Sequence, residues 1–255
     1  MQDINANVTG QRLLERTIFA HARAEDVRTE PFPHLVVENA LDADLFAKLL
    51  STRPPYCGDA DADNLRAPTP AWVFIKTELF DPIWTDFVTA HTRPDITHAV
   101  RALFKGHLAE TQPDLPDDCR FGVDGQADWR AADVLCDARL EIISPALTAG
   151  SHRKAHLDTP NRLFTALLYL RTPDDTSVGG GLNLFRWKSG PKGRLDAFEL
   201  DENDIECVTT VPYRENTLVV FPNSVNALHG CEVRQPTDHD RAYVFITAEM
   251  QHDLF

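Results

Sequence analysis

One short stretch and one distant histidine have the residue types and spacing to hold a metal ion. In "SHRKAHLDTPNRLFTALLYL", residues 151–170, His156 and Asp158 lie two apart, just ahead of an apolar run with strand character. Residues i and i+2 of a strand point to one face, so the pair offers an imidazole nitrogen and a carboxylate oxygen to the same ion. Two ligands alone hold a metal poorly. A third is available in "NTLVVFPNSVNALHGCEV", where a strand and a Pro-Asn turn deliver His229 next to Gly230. A bare His-x-Asp arises often by chance and is commonly a solvated surface pair, so the context has to decide.

The set His156, Asp158 and His229 has the composition of a two-histidine, one-carboxylate facial triad, which leaves three octahedral positions open and suits non-haem Fe(II). His152, four residues before His156, offers a rival cluster with His156 and Asp158. A basic residue follows on the last long strand, "RAYVFITAEM", where alternation puts Arg241, Tyr243 and Phe245 on one face. A guanidinium suits a carboxylate because its planar fork donates two parallel hydrogen bonds. The plain alternative is an exposed arginine at a strand start.

These residues need a β framework, and the second half of the chain has the grammar of one. "VLCDARLEII", "RLFTALLYL", "LNLFRW", "IECVTTV", "TLVVF" and "RAYVFITAEM" are short runs rich in β-branched and aromatic residues, separated by turn signals such as "TPDDTSVGGG" and "KSGPKG". Many strands without intervening helices indicate a sandwich or barrel. The first half reads differently. Residues 11–23 place Leu13, Leu14, Ile18 and Phe19 at helical spacing, "PFPHLVVENALDADLFAKLL" reads as a strand and then a helix opening near Asp42, and Pro94 separates two further helices. Trp84, Phe87 and Val88 fall at core spacing. Residues 109–130 read as a polar loop long enough to act as a lid. One domain over 1–255 is expected, with 1–130 a mostly helical support and 131–255 the β core.

Bulk composition narrows the function. The formal net charge of −14 over 255 residues opposes a general nucleic-acid or anionic-membrane role, because binding a polyanion relies on Lys and Arg displacing counterions. Five scattered cysteines form no CxxC pair and no even disulfide set, which fits a reducing cytoplasm. The first residues lack a secretory pattern and no apolar run reaches membrane-spanning length, so a cytoplasmic protein with no membrane partner is expected.

The ordered series "HLD", "LLYL", "GGGLNLF", "NTLVVFPNSVNALHGCEV" and "RAYVFI" resembles the double-stranded β-helix core of the Fe(II)- and 2-oxoglutarate-dependent oxygenases, particularly the prolyl-hydroxylase-like branch. It spans roughly residues 134–250, and "PFPHLVVENALDADLFAKLL" is similar to that branch's leading strand and helix. The resemblance implies a mainly β fold with flanking α, a jelly-roll, cupin-like core with N-terminal helices packed on it. It implies Fe(II) at His156, Asp158 and His229, and O2 and 2-oxoglutarate as cosubstrates. It also implies that Arg241 holds the distal carboxylate of 2-oxoglutarate, with the Tyr169 hydroxyl beside it. Arg241 lies twelve residues after His229, slightly farther than is usual for the family, and Arg234 is the nearer rival. For Tyr169, plain core packing with a wet tip is the competing role.

The implied reaction is hydroxylation of an unactivated C–H bond with release of succinate and CO2. A carboxylate at Asp158 favours hydroxylation over halogenation, whose relatives keep a small residue there. The expected substrate is a small polar molecule such as an amino acid, a sugar derivative or a biosynthetic intermediate. A peptidyl, prolyl-type hydroxylase is the enzyme alternative, and a cupin-like metal isomerase the more distant one. Candidate substrate residues are Arg139 and Glu141, which share a strand face with Asp137, together with Arg153, Asn183 and Trp187. Charged rows on antiparallel strands usually face water, so the Asp137, Arg139 and Glu141 row is as readily surface as pocket.

Overall fold

The computed structural model describes residues 16–255 apart from positions 60, 109, 110, 194 and 196. Its frame is two sheets. The larger runs β1 (Leu35–Glu38), β8 (Thr217–Pro222), β5 (Arg162–Tyr169), β10 (Arg241–Met250), β4 (Val134–Ile143) and β2 (Arg66–Thr69) side by side, all antiparallel. The short β3 (Phe121–Val123) adds parallel to β4. The smaller sheet runs β7 (Ile205–Val211), β6 (Leu182–Trp187) and β9 (His229–Cys231). This is the expected mainly β, jelly-roll class with flanking helices. The six strands read from the second half of the sequence all form.

Period-2 alternation divides each long strand of the large sheet between two apolar layers. Cys136, Ala138, Leu140 and Ile142 of β4, with Ala242, Val244, Ile246 and Ala248 of β10, face a layer built with the helices. Tyr243 of β10, Leu167 and Tyr169 of β5, and Val219 and Phe221 of β8 face the other way and meet Leu182, Leu184 and Val211 of the small sheet. Both faces of the large sheet are covered, one by the helices and the other by the small sheet. The row Asp137, Arg139 and Glu141 therefore lies on the inner face of the barrel, and the surface alternative for it fails.

The helical cover is α1 (Ala43–Ser51), α2 (Ala71–Lys76), α3 (Pro82–His91), α4 (Pro94–Leu103) and α5 (Lys105–Leu108). Asp42 caps α1 by accepting from the Asp44 and Leu45 amides, and Asp81 caps α3 just ahead of Pro82. Pro94 opens α4 and so separates it from α3, as its missing donor requires. Trp84, Phe87 and Val88 pack in the core.

Three features differ from the sequence reading. Of the helix expected over 11–23, residues 11–15, with Leu13 and Leu14, lie outside the described residues, and 16–21 form turns rather than a helix. Ile18 is drawn into the core there, and its amide donates to His91 Nε2 at 3.1 Å, a partner that a helical ladder would have taken away. The strand β2 was missed because "RAPT" lacks apolar alternation; it pairs as an edge strand, the place where a proline is tolerated. Within 109–130, Gln112 is buried, with its side-chain amide donating to the carbonyls of Leu163 and Asn223, and no described residue of the segment lines the main cavity. Gln112 thus ties the described part of that stretch to the large sheet, away from the cavity.

His91 gives the fold a pH dependence. Burial in the α3 core pushes its imidazole down from 6.5 to about 4, against a smaller upward push from the Phe87 carbonyl that it bonds at 2.7 Å. A group whose folded value is depressed binds fewer protons folded than unfolded between those two values, so stability rises with pH there. His91 is expected to contribute roughly 3 kcal/mol of stability that is complete above pH 6.5 and lost as pH falls toward 4. Urea unfolding from pH 7.5 down to pH 4.5 should show a clearly shallower slope in His91→Gln, whose carbonyl still accepts from Ile18. Parallel pH profiles for the two proteins would refute this.

Candidate metal centre

His156 and His229 are brought together by a bridge between their own backbones, with amide-to-carbonyl distances of 2.9 and 3.1 Å. Gly230 makes the approach possible, since a Cβ there would sit 2.8 Å from the backbone of Lys154 and Ala155. Each histidine is oriented from behind. Nδ1 of His156 bonds the Lys154 carbonyl at 2.8 Å and Nδ1 of His229 bonds the Ala227 carbonyl at 2.9 Å, so both Nε2 atoms are directed at Asp158 as acceptors. The separations are 3.8 Å from His156 Nε2 to Asp158 Oδ1 and 3.6 Å from His229 Nε2 to Asp158 Oδ2. One ligand atom from each of the three residues falls within 4.8 Å of the others, and among the described residues this is the metal-competent group. His152 is not part of it.

The electrostatics suit a cation. Burial, reinforced by the neighbouring His229, pushes His156 down to about 3, so its imidazole is neutral near pH 7 and binding a metal there displaces no proton from it. Burial alone would raise the Asp158 carboxyl, but Arg162, the two histidines and the Thr165 hydroxyl outweigh it and hold it well below the usual carboxylate range. Arg162 Nη1 lies 2.7 Å from Asp158 Oδ1 and Thr165 donates to Oδ2, while Glu249 binds the rest of the Arg162 guanidinium at 2.7 and 3.0 Å. Two imidazole nitrogens and one ionised carboxylate form the donor set expected for a divalent first-row metal, so the residues fit Fe(II).

Arg241 opens β10 in the same cavity and is 2% exposed. Tyr169, Tyr213 and Tyr243 surround its guanidinium carbon, with ring centroids at 5.2, 5.1 and 4.7 Å. Its Nε donates to the Gly180 carbonyl at 2.6 Å, yet Nη1 and the Tyr169 hydroxyl are buried without a hydrogen-bond partner. Two orphaned donors side by side are costly unless a ligand accepts from them, and a carboxylate has the right valence. The rival Arg234 is fully engaged, with bonds to Asn64, the Ser144 carbonyl and the His239 carbonyl between 2.7 and 3.0 Å. Gly180 threads between the two arginines at φ +79°, and a Cβ there would press on both side chains at 3.1 to 3.3 Å.

The cavity has a volume of about 700 Å³. Of the sequence-stretch candidates for substrate contact, Arg139, Glu141 and Arg153 line it. Asn183 and Trp187 do not. Alternation along β6 turns Leu182 and Leu184 inward, so Asn183 faces out and accepts from Thr210 at 2.6 Å; Trp187 belongs to a separate cavity of about 350 Å³, its indole donating to Val225 at 2.8 Å. The sequence reading missed Arg162 and Thr165 as partners of Asp158, and Arg66 and Phe198 at the rim. Arg162 carried a signal in its four-residue spacing from Asp158; Arg66 and Phe198, on an edge strand and in a loop, carried none.

Residues 143–246 match the family described as the 2OG-Fe(II) oxygenase superfamily. No curated protein matches the chain by sequence. Among solved structures, the chain is similar to a Pseudomonas putida prolyl-4-hydroxylase, at 16% identity and TM-score 0.45, covering 86% of this chain and 93% of that one. It is also similar to a Phytophthora capsici prolyl 4-hydroxylase, at 15% identity and TM-score 0.48, covering 94% of this chain and 65% of that one. A third is the Trichoplax adhaerens prolyl hydroxylase in complex with a hypoxia inducible factor peptide fragment, at 10% identity and TM-score 0.43, covering 96% and 93%.

Proposed function

We propose that the chain, whose residues 143–246 match the 2OG-Fe(II) oxygenase superfamily, is such an oxygenase, using Fe(II), 2-oxoglutarate and O2 to hydroxylate an unactivated C–H bond of a small polar substrate with release of succinate and CO2. His156, Asp158 and His229 hold the iron, and Arg241 with Tyr169 holds the distal carboxylate of 2-oxoglutarate. The observation that carries this reading is the convergence, in one cavity, of a complete donor set and an orphaned arginine–tyrosine pair.

The bound iron, with 2-oxoglutarate and O2, supplies the oxidising power that breaks the C–H bond. The protein's residues do the rest. The Lys154 and Ala227 carbonyls fix both imidazole tautomers, Arg162 and Thr165 keep Asp158 ionised and aimed, and the tyrosine box around Arg241 excludes water from its ion pair. The proposal takes residues 1–255 as one catalytic domain, supported by the apolar layer that helices and large sheet share. Among the described residues no helix is long and apolar enough to cross a membrane. A peptidyl substrate has one observation in its favour, the exposed apolar side chains Leu65 and Phe198 at the cavity rim.

Anaerobic titration with Fe(II) and then 2-oxoglutarate tests the site directly. The expected result is a weak visible charge-transfer band that appears only when both are present and is absent in His229→Ala. Iron binding with no band on adding 2-oxoglutarate would sink the cosubstrate assignment, and no iron binding would sink the triad.

A further inference from the structure

The cavity holds more cationic groups than the metal and 2-oxoglutarate account for. On a chain of net charge −14, Arg66, Arg139, Arg153, Arg162 and Arg241 all line it, against Glu141 and Asp158. Arg162 is taken by Asp158 and Glu249, and Arg241 by the cosubstrate in the reading above. Arg153 has no ion pair with a described carboxylate. Its guanidinium is instead stacked over the exposed ring of Phe198, 3.6 Å from the centroid, which holds it in place while leaving its donors free. Arg139 is propped from both sides, 3.1 Å from Asp137 and 3.7 Å from Glu141, with its face over Phe245 at 4.8 Å. Both are fixed cations facing an enclosed space.

Glu141 supplies the opposite sign. It is 1% exposed, and its Oε2 has no hydrogen-bond partner, the nearest cation being the half-exposed Arg66 with Nε at 3.6 Å. Burial pushes its carboxyl up, against the pull of Arg66 and Arg139, so a bound donor would repay a strain already present. An acceptor left open in a low-dielectric wall is stabilised most by a charged N–H donor. We propose that this subsite takes a free α-amino acid, with its carboxylate on Arg153 and Arg139 and its ammonium on Glu141, displacing the exposed Arg66 guanidinium from that carboxylate. The inference rests on the oxygenase reading and deepens it, because an internal residue of a peptide has neither charge to offer.

The test uses the full chain loaded with Mn(II) and 2-oxoglutarate, which permits binding without turnover. The proteinogenic amino acids are screened by thermal shift, and hits are measured by calorimetry beside their N-acetyl and C-amide forms. The expected result is at least one free amino acid that binds, with each blocked form weaker by about tenfold or more. Arg153→Ala and Glu141→Gln should each weaken the hit by a similar factor and leave the 2-oxoglutarate affinity within about twofold. Blocked and free forms binding alike, or variants binding like the parent, would overturn the proposal in favour of a peptide. No amino acid binding while 2-oxoglutarate binds normally overturns it too. Failure of 2-oxoglutarate itself to bind is a separate result, and refutes the underlying function.

Discussion

Asp158→Ala is expected to abolish succinate formation and also to weaken the metal-free fold. The first effect follows from the donor set: even partners that only orient a metal ligand cost about 10- to 100-fold when removed, so a ligand's own removal should exceed that. The second follows from what surrounds the carboxylate. Arg162 is almost wholly buried, and Asp158 at 2.7 Å is one of its two anionic partners. Breaking a buried ion pair from one side costs about 3–5 kcal/mol, and the lower end applies because Glu249 still holds the guanidinium. A loss of roughly 3 kcal/mol is therefore predicted from urea unfolding without metal. Asp158→Asn separates the causes. Its amide oxygen still accepts from Thr165, so packing is kept while the charge is lost. Normal turnover in Asp158→Ala would end the triad assignment; unchanged stability would mean that Glu249 alone satisfies Arg162.

His156, Asp158 and His229 could be picked out of the sequence because two histidines and a carboxylate flank runs with strand character, but their local geometry could not: His156 forms a single bridge to His229, and Asp158 lies in the loop ahead of β5 and not on a strand. Arg139 and Glu141 were only half legible. Reading them needs the knowledge that helices cover the other face of β4, and that depends on contacts between residues far apart in the chain. The same ignorance misplaced Asn183 and Trp187, since a strand pattern gives two faces without saying which is inward. The segment after residue 109 looked like a lid because polar text with Pro and Gly gives no hint that one buried amide, Gln112, ties it to β5 and to the residue that follows β8. Arg66 and Phe198 lie on an edge strand and in a loop, where position is set by the neighbours and not by local pattern.

Arg241→Ala should raise the dissociation constant for 2-oxoglutarate by roughly 100-fold, about 3 kcal/mol, and leave that for Fe(II) within about twofold. The size follows from burial: truncating one side of a desolvated, hydrogen-bonded charge pair costs about 2–5 kcal/mol. The selectivity follows from placement. Arg241 makes no hydrogen bond or ion pair with His156, Asp158 or His229, and its Nε is held by the Gly180 carbonyl. Arg241→Lys should recover only part of the loss, because a point charge lacks the fork that can reach a carboxylate while Nε stays on Gly180. Tyr169→Phe isolates the hydroxyl and should cost about 1 kcal/mol, a factor of roughly five. Arg234→Ala is the control that makes the set decisive. Its guanidinium ties Asn64, Ser144 and His239 together, so its loss should lower the melting temperature with little change in cosubstrate affinity. If the two arginines exchange these phenotypes, the carboxylate anchor is Arg234; if Arg241→Ala weakens iron and 2-oxoglutarate equally, its role is to hold the barrel mouth together.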